Sequence, residues 1–363
     1  MRTLQSRIRA AWQVSRRSFE RPLAPVGTLF WFFLLRAMVR PTLVVDRWLF
    51  PRLRNPANAR PIVLAGNPRT GTTFLHRFLA DQGYGAGAQL WRLLYPSLLL
   101  QRLLRPLMPL LRWISPARHH STVAHETGLD FVETDDVGLF FHHFDGLFLY
   151  GFLLAFHDDE LRQSFDPQHR DTNTRDFDWW EQVWVRSCIA QGHERAIAKS
   201  FSLSARLPAF LNRFPEARVL YLARDPVDVI PSCLSLVTGV LDRRYAFWTM
   251  PPEVRDRFIE RLYTAFVELL CRFEQDWRSG AIDRTRVFIV RYDRMMEDFD
   301  GLMHEVLAFC DLEAAPDQHR AILEQAEAQR SFVSKHSYDL GRFGLSEERI
   351  RQDCAAFCAT FLS

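Results

Sequence analysis

Residues 61–83 read P-I-V-L-A-G-N-P-R-T-G-T-T-F-L-H-R-F-L-A-D-Q-G, and no other stretch restricts the fold as tightly. Ile62, Val63 and Leu64 form a short unbroken apolar run, the pattern of a strand buried on both faces of a parallel sheet. Gly66, Asn67, Pro68 and Gly71 then force a tight turn. From Thr72 to Gln82 the residues Phe74, Leu75, Phe78 and Leu79 recur at helical spacing, and Gly83 stops the helix. A strand, a glycine-containing loop and a helix N-terminus in this order converge backbone N–H groups and a positive dipole end on one point. That is a cradle for an anion, and phosphate is its usual guest. The plainer reading is an ordinary glycine turn between strand and helix.

Gly66, four residues, Gly71 and then Thr72-Thr73 match the P-loop spacing G-x-x-x-x-G-K-[ST], except that Thr72 stands where the lysine belongs. That lysine reaches the β- and γ-phosphates of a nucleoside triphosphate, so its loss argues against a kinase or NTPase. Arg69 lies inside the loop instead, followed by hydroxyls at Thr70, Thr72 and Thr73. One phosphate held by an arginine, hydroxyls and backbone amides needs neither a γ-phosphate nor a metal ion. Here the chain resembles the PAPS-dependent sulfotransferases, specifically the bacterial branch whose loop reads P-R-[ST]-G-T-T. The resemblance implies that Arg69, Thr70, Gly71, Thr72 and Thr73 bind the 5′-phosphosulfate end of 3′-phosphoadenylyl sulfate (PAPS).

A second segment, residues 217–236, reads A-R-V-L-Y-L-A-R-D-P-V-D-V-I-P-S-C-L-S-L. Val219–Ala223 is another buried-strand run, Asp225 is a good N-cap, Pro226 suits the first helical position and Asp228 lies where a capping-box acid would. A strand followed by R-D-P, with a serine eight residues beyond the arginine, resembles the family's second signature. It implies that Arg224 and Ser232 hold the nucleotide's 3′-phosphate, a task that suits the forked guanidinium. In isolation the same residues read as a capped helix beside a solvated arginine.

Of the 46 Lys and Arg residues only Lys199 and Lys335 are lysines. In a chain so biased to arginine, a lysine marks a place where arginine will not serve. Lys199 opens K-S-F-S-L-S-A-R-L-P-A-F-L-N-R-F-P, which resembles the family segment K-S-P-x-H-L-x-x-L-P-A-L-x-x-x-F-P. A compact ammonium at a strand end would stabilise charge on the bridging oxygen as sulfuryl leaves the nucleotide. The alternative is an incidental surface lysine. Two departures limit the mechanism: Phe201 and Leu203 replace the proline and histidine of that segment, and Trp91 is followed by Arg92 where the family carries W-E.

Proton removal from an alcohol acceptor still needs a carboxylate or histidine. Leu129–Val137 resembles the family's helix start L-P-E-E-D, so Glu133 and His125 are the candidates, with Asp135 and Asp136 behind them. Thr134 or its acidic neighbours could equally cap the helix that follows. The cluster His119, His120, His125 and Glu126 lacks H-E-x-x-H spacing and any CxxC partner, so no metal site is expected. Arg291-Tyr292-Asp293 resembles the family's Y-E-D element and implies that Tyr292 contacts the adenine, with a core tyrosine as the alternative. Residues 331–345 resemble the family's C-terminal loop, without assignable ligands.

The expected architecture is α/β: a P-loop-like parallel sheet flanked by helices, with an N-terminal helical arm over residues 1–58 and the α/β domain over 59–363. Strands are expected at Pro61–Ala65, Arg195–Lys199, Arg218–Ala223 and Arg286–Val290, and a helical insertion at about 89–178. The apolar stretch Val26–Leu35 ends at Arg36, too short to span a bilayer. Val137–Phe156 is long enough, but His142, His143 and Asp145 near its middle favour a buried helix lining the acceptor pocket. Leu98–Ile114 mixes leucines with Arg102, Arg105 and Arg112, as a lipid-facing helical pair or an active-site lid would.

These apolar stretches favour a hydrophobic hydroxyl acceptor over a free sugar. Six scattered cysteines suggest a reducing cytoplasm, with the membrane surface left open. A net charge of +3 spread along the chain, with no recognisable motif, excludes nucleic acid. Nothing sets the oligomeric state. The reading is thus a sulfotransferase that moves sulfuryl from PAPS to an apolar or lipid-like alcohol. A divergent P-loop phosphotransferase and a catalytically silent nucleotide- or membrane-binding relative are the alternatives.

Overall fold

Five segments become strands in a computed structural model that describes residues 3–53, 60–114, 128–331 and 339–363. They are β1 (Ile62–Ala65), β2 (Ala86–Gly87), β3 (Ala196–Lys199), β4 (Arg218–Ala223) and β5 (Val287–Arg291), in the sheet order β2-β3-β1-β4-β5. β2 with β3, β1 with β4, and β4 with β5 pair in parallel. Four of these lie where the sequence pattern puts them, within a residue at either end. β2 was not expected: its two residues sit in the glycine-rich G-Y-G-A-G, which reads as a loop. The chain divides into two units, Met1–Arg60 with Gly85–Ala198, and Pro61–Tyr84 with Lys199–Ser363.

In the second unit β4 is central, with Ile62 opposite Arg218 on one side and Val219 opposite Val287 on the other. All of β1 and all but the first residue of β4 are buried, which is why both read as unbroken apolar runs. Each strand hands the chain to a helix. Helix Thr72–Asp81 follows β1 and ends at a left-handed Gly83. Helix Pro226–Tyr245 follows β4, and the Asp225 carboxylate accepts the Val227 N–H at 2.9 Å. Asp228 does not close a capping box there; its carboxylate lies 3.3 Å from the Arg224 guanidinium. Helix Pro252–Arg278 turns Phe258, Leu262, Phe266, Leu269 and Phe273 inward at helical spacing.

The first unit is helical. Helix Asn173–Gln191 buries Trp180 and Trp184, and its Arg186 meets a fully buried Asp46 at 2.9 Å. Asp46 also accepts the Leu98 and Leu99 N–H groups at 2.9 Å, capping helix Leu98–Leu104. That cap and the ion pair explain why the second N-terminal helix runs farther than its sequence suggests. It covers Ala24–Leu49, 26 residues, through Arg36, Arg40 and Pro41. Arg36 donates to the His142 carbonyl and Asp46 is paired, so neither charge ends the helix. Among the described residues it is the one helix long and apolar enough to cross a membrane, with 17 % of that apolar window buried.

Residues 137–156 are not one helix. They form Asp136–His143, Leu147–Phe152 and a short 3-10 turn, broken at left-handed Phe144, Asp145 and Gly146. Asp145 is fully buried because Arg170 at 2.5 Å, Arg175 at 2.7 Å and Arg7 at 3.6 Å gather round it. Bringing one carboxylate to three guanidiniums requires the break, and Gly146 permits it. His142 and His143 are tolerated because burial pushes them down to about 4 and about 3, so both are neutral at pH 7.

Candidate active site

The expected donor-side residues emerge at the carboxyl ends of parallel strands, the place where open α/β sheets bind ligands. β1 ends at Ala65 and feeds the Gly66–Gly71 loop, β3 ends at Lys199, β4 runs into Arg224, and β5 runs into Tyr292. Backbone geometry explains the glycines. Gly66 has φ +123°, and a Cβ there would lie 2.6 Å from the Leu222 carbonyl oxygen. Gly71 has φ +91° and caps the helix; a Cβ there would lie 2.4 Å from the Met295 methyl and 3.3 Å from the Tyr292 ring. Arg69 also takes a left-handed conformation, φ +71°. A side chain other than glycine held there is strained, and strain of this kind persists where surrounding contacts fix the loop.

Those contacts are present. Asn67, fully buried, donates to the Phe266 carbonyl at 3.0 Å and accepts from the Thr70 hydroxyl on its own carbonyl at 2.8 Å. The Cys233 thiol, which burial makes hard to ionise, donates to the Pro68 carbonyl at 3.0 Å. Arg224 donates to the Arg69 carbonyl at 3.1 Å, and Arg69 Nε donates to the Ser232 hydroxyl at 2.9 Å. The Arg224 guanidinium stacks 4.0 Å from the centre of the half-buried Tyr292 ring. Lys199, fully buried, donates from Nζ to the Thr73 hydroxyl at 3.1 Å and lies 5.6 Å from the Phe201 ring centre. The Ser200 N–H donates to the Leu64 carbonyl at 3.0 Å, tying the turn after β3 to β1.

Arg69, Thr70, Gly71, Thr72, Thr73, Lys199, Arg224, Ser232 and Tyr292 all belong to the second unit; Arg69, Arg224, Ser232 and Tyr292 form one linked group, and Lys199 reaches Thr73 on the helix that follows the loop. Three cations, four Thr and Ser hydroxyls and a helix N-terminus suit a doubly anionic ligand. Asn67 and Cys233 are the supports that sequence reading missed. Asn67 stood inside the motif as an unremarkable turn residue, and nothing in the sequence around Cys233 signals its bond to Pro68.

On the acceptor side, Glu133 is buried in the first unit, and its N–H donates to the Ala88 carbonyl at 3.1 Å. Asp135 precedes helix Asp136–His143 without a side-chain cap bond, its carboxylate accepting instead from Trp184 Nε1 at 2.9 Å. Asp136 accepts from the Thr134 hydroxyl at 3.2 Å. Arg92 donates to Gln101 at 2.9 Å and lies over the Trp91 ring at 4.9 Å, and burial lowers its pKa. His125 lies outside the described residues, as do His119, His120, Glu126 and Lys335. Leu203, standing for the family's histidine, is fully buried in the 3-10 turn Ser202–Ala205. Among the described residues no cluster of metal-binding side chains occurs.

Comparison with known proteins decides the family. A model of the sulfotransferase family matches residues 61–317, more than two thirds of the chain. The chain belongs to the sulfotransferase family. The chain is 22% identical, over 258 residues and 68% of its length, to the omega-hydroxy-beta-dihydromenaquinone-9 sulfotransferases Stf3 of Mycobacterium tuberculosis and Mycobacterium bovis. The match spans 61% of those relatives' length. Sulfotransferase STF1 of Mycobacterium tuberculosis superposes with TM-score 0.72 at 17% identity, covering 97% of this chain and 90% of that one. STF9 of Mycobacterium avium gives 0.65 at 20% identity, covering 88% and 81%. Both share the fold. Family membership displaces the phosphotransferase alternative.

The Gly66 geometry makes one prediction. Gly66→Ala should destabilise the protein by about 2 kcal/mol or more, because the added Cβ meets backbone that cannot swing aside. Chemical denaturation would measure it, and Ala at Gly83, with no atom within 4 Å of the added Cβ, serves as the milder comparison.

Proposed function

We propose that this sulfotransferase transfers a sulfuryl group from PAPS to a hydroxyl of an apolar, lipid-like acceptor, with peripheral contact to a membrane. The observation that carries the reading is the gathering of Arg69, Lys199, Arg224 and Ser232 on the strand ends, loop and helix that follow β1, β3 and β4. In this reading the Gly66–Gly71 loop and the first turn of helix Thr72–Asp81 hold the 5′-phosphosulfate, with Arg69 and the hydroxyls of Thr70, Thr72 and Thr73. Arg224 and Ser232 hold the 3′-phosphate, and Tyr292 packs on the adenine. The acceptor oxygen attacks sulfur, the bond from sulfur to the bridging oxygen breaks, and adenosine 3′,5′-bisphosphate leaves. Lys199 carries the negative charge that grows on that bridging oxygen. Removal of the acceptor proton is assigned to Glu133 or His125. The lipid-like acceptor is supported by the apolar first unit and by the dihydromenaquinone named for the mycobacterial relatives.

Arg224 gives the direct test. Arg224→Ala should weaken adenosine 3′,5′-bisphosphate by on the order of 2 kcal/mol, measured by calorimetry, since a bidentate charged contact is lost. Adenosine 5′-phosphosulfate, which has no 3′-phosphate, should lose little further affinity. Equal losses for both would mean that Arg224 acts through its bonds to the Arg69 carbonyl and Tyr292, not on the phosphate. Tight bisphosphate binding without turnover on any alcohol would instead favour a catalytically silent relative.

A further inference from the structure

Helix Ala24–Leu49 buries Phe32, Val39, Leu43 and Asp46 and leaves most of its apolar side chains outside. Trp31 is 67% and Trp48 75% exposed. Helix Leu98–Leu104, which Asp46 caps, continues through a 3-10 turn into Met108–Ile114 and exposes Leu103, Leu107, Leu110 and Trp113, the last at 67%. Exposed apolar surface on this scale marks a contact site. The charges on the same segments run one way. Arg40, Arg102 and Arg105 are exposed, whereas Asp46, the one acid in residues 24–53 and 98–114, is fully buried against Arg186.

We propose that this face docks on an anionic lipid bilayer, with helix Ala24–Leu49 lying in the interface. Tryptophan prefers the boundary between headgroups and acyl chains, leucine the outer acyl region, and arginine the anionic headgroups. The helix lies along the bilayer and does not cross it, because Phe32, Val39, Leu43 and the Asp46–Arg186 pair hold one side of it against the protein. A second copy of the chain is the less favoured occupant, since it would bring Arg40, Arg102 and Arg105 against their own kind. The inference deepens the membrane contact of the proposed function and can fail without it.

Flotation of the full chain with vesicles tests it. The protein should rise with phosphatidylcholine vesicles carrying about 30 mol % phosphatidylglycerol, and far less with phosphatidylcholine alone. About 0.5 M salt should release most of it. The double variant Arg102→Glu, Arg105→Glu should lower partitioning about tenfold or more, whereas the double change to Lys should keep it. Trp31→Ser with Trp48→Ser should weaken it as well, at unchanged melting temperature. Absence of flotation at low salt overturns the inference. So does a dimer in sedimentation velocity that Trp48→Ser dissolves while vesicles stay unbound. Bisphosphate calorimetry on the same samples separates the two readings: intact binding with no flotation sinks the membrane contact and leaves the transfer from PAPS standing, and flotation without bisphosphate binding sinks the transfer from PAPS and leaves the docking standing.

Discussion

Lys199→Met should lower kcat by about 10²–10³-fold while moving the dissociation constant of adenosine 3′,5′-bisphosphate little. The ammonium is fully buried, donates to the Thr73 hydroxyl at 3.1 Å, and stands at the end of β3 beside the turn that follows β1. If the Gly66–Gly71 loop holds the phosphosulfate as proposed, a buried cation beside it meets little extra charge in the ground state and much more once the bridging oxygen becomes a leaving group. Its contribution therefore falls on kcat. Methionine keeps the apolar stem, so the melting temperature should hold. Lys199→Arg is the companion variant. Of 46 basic residues nearly all are arginine, yet this position is lysine; a planar, delocalised guanidinium does not reproduce a compact ammonium and should rescue little. Stopped-flow turnover at saturating donor measures both variants, and an unchanged kcat in Lys199→Met would reduce the residue to a structural one.

How legible the protein was in its sequence depended on how local the determinants were. The β1 loop is written in consecutive residues, and Gly66 and Gly71 mark positive φ directly. Asp225 and Pro226 announce a helix start because capping acts within three residues. Asp228 misled for the complementary reason: its spacing fits a capping box, but Arg224 four residues earlier offers a stronger partner. The break at residues 144–146 was unreadable, because what demands it is a carboxylate shared by Arg7, Arg170 and Arg175, up to 138 positions away. The length of helix Ala24–Leu49 was hidden likewise, since Arg36 and Asp46 find partners at His142 and Arg186. Apolar runs are legible; the charges inside them are legible only once their partners are known.

Glu133→Gln should lower kcat by about 10²-fold or more with donor binding and fold intact. A carboxylate base works only when deprotonated, so activity should fall as pH falls through its pKa. Gln takes no proton, and the acidic limb of the pH–rate profile should vanish with it. The neighbouring acids separate this role from a structural one. Asp135 is bound to Trp184 Nε1 and Asp136 to the Thr134 hydroxyl, so Asp135→Asn and Asp136→Asn should act on melting temperature rather than on the acidic limb. If His125→Ala removes that limb and Glu133→Gln does not, the two exchange roles, and Glu133 serves the segment between Ala88 and helix Asp136–His143. If neither changes the limb, proton removal passes to the acceptor's own surroundings, and the assignment fails on that side while the proposed donor-side roles of Arg69, Lys199 and Arg224 are untouched.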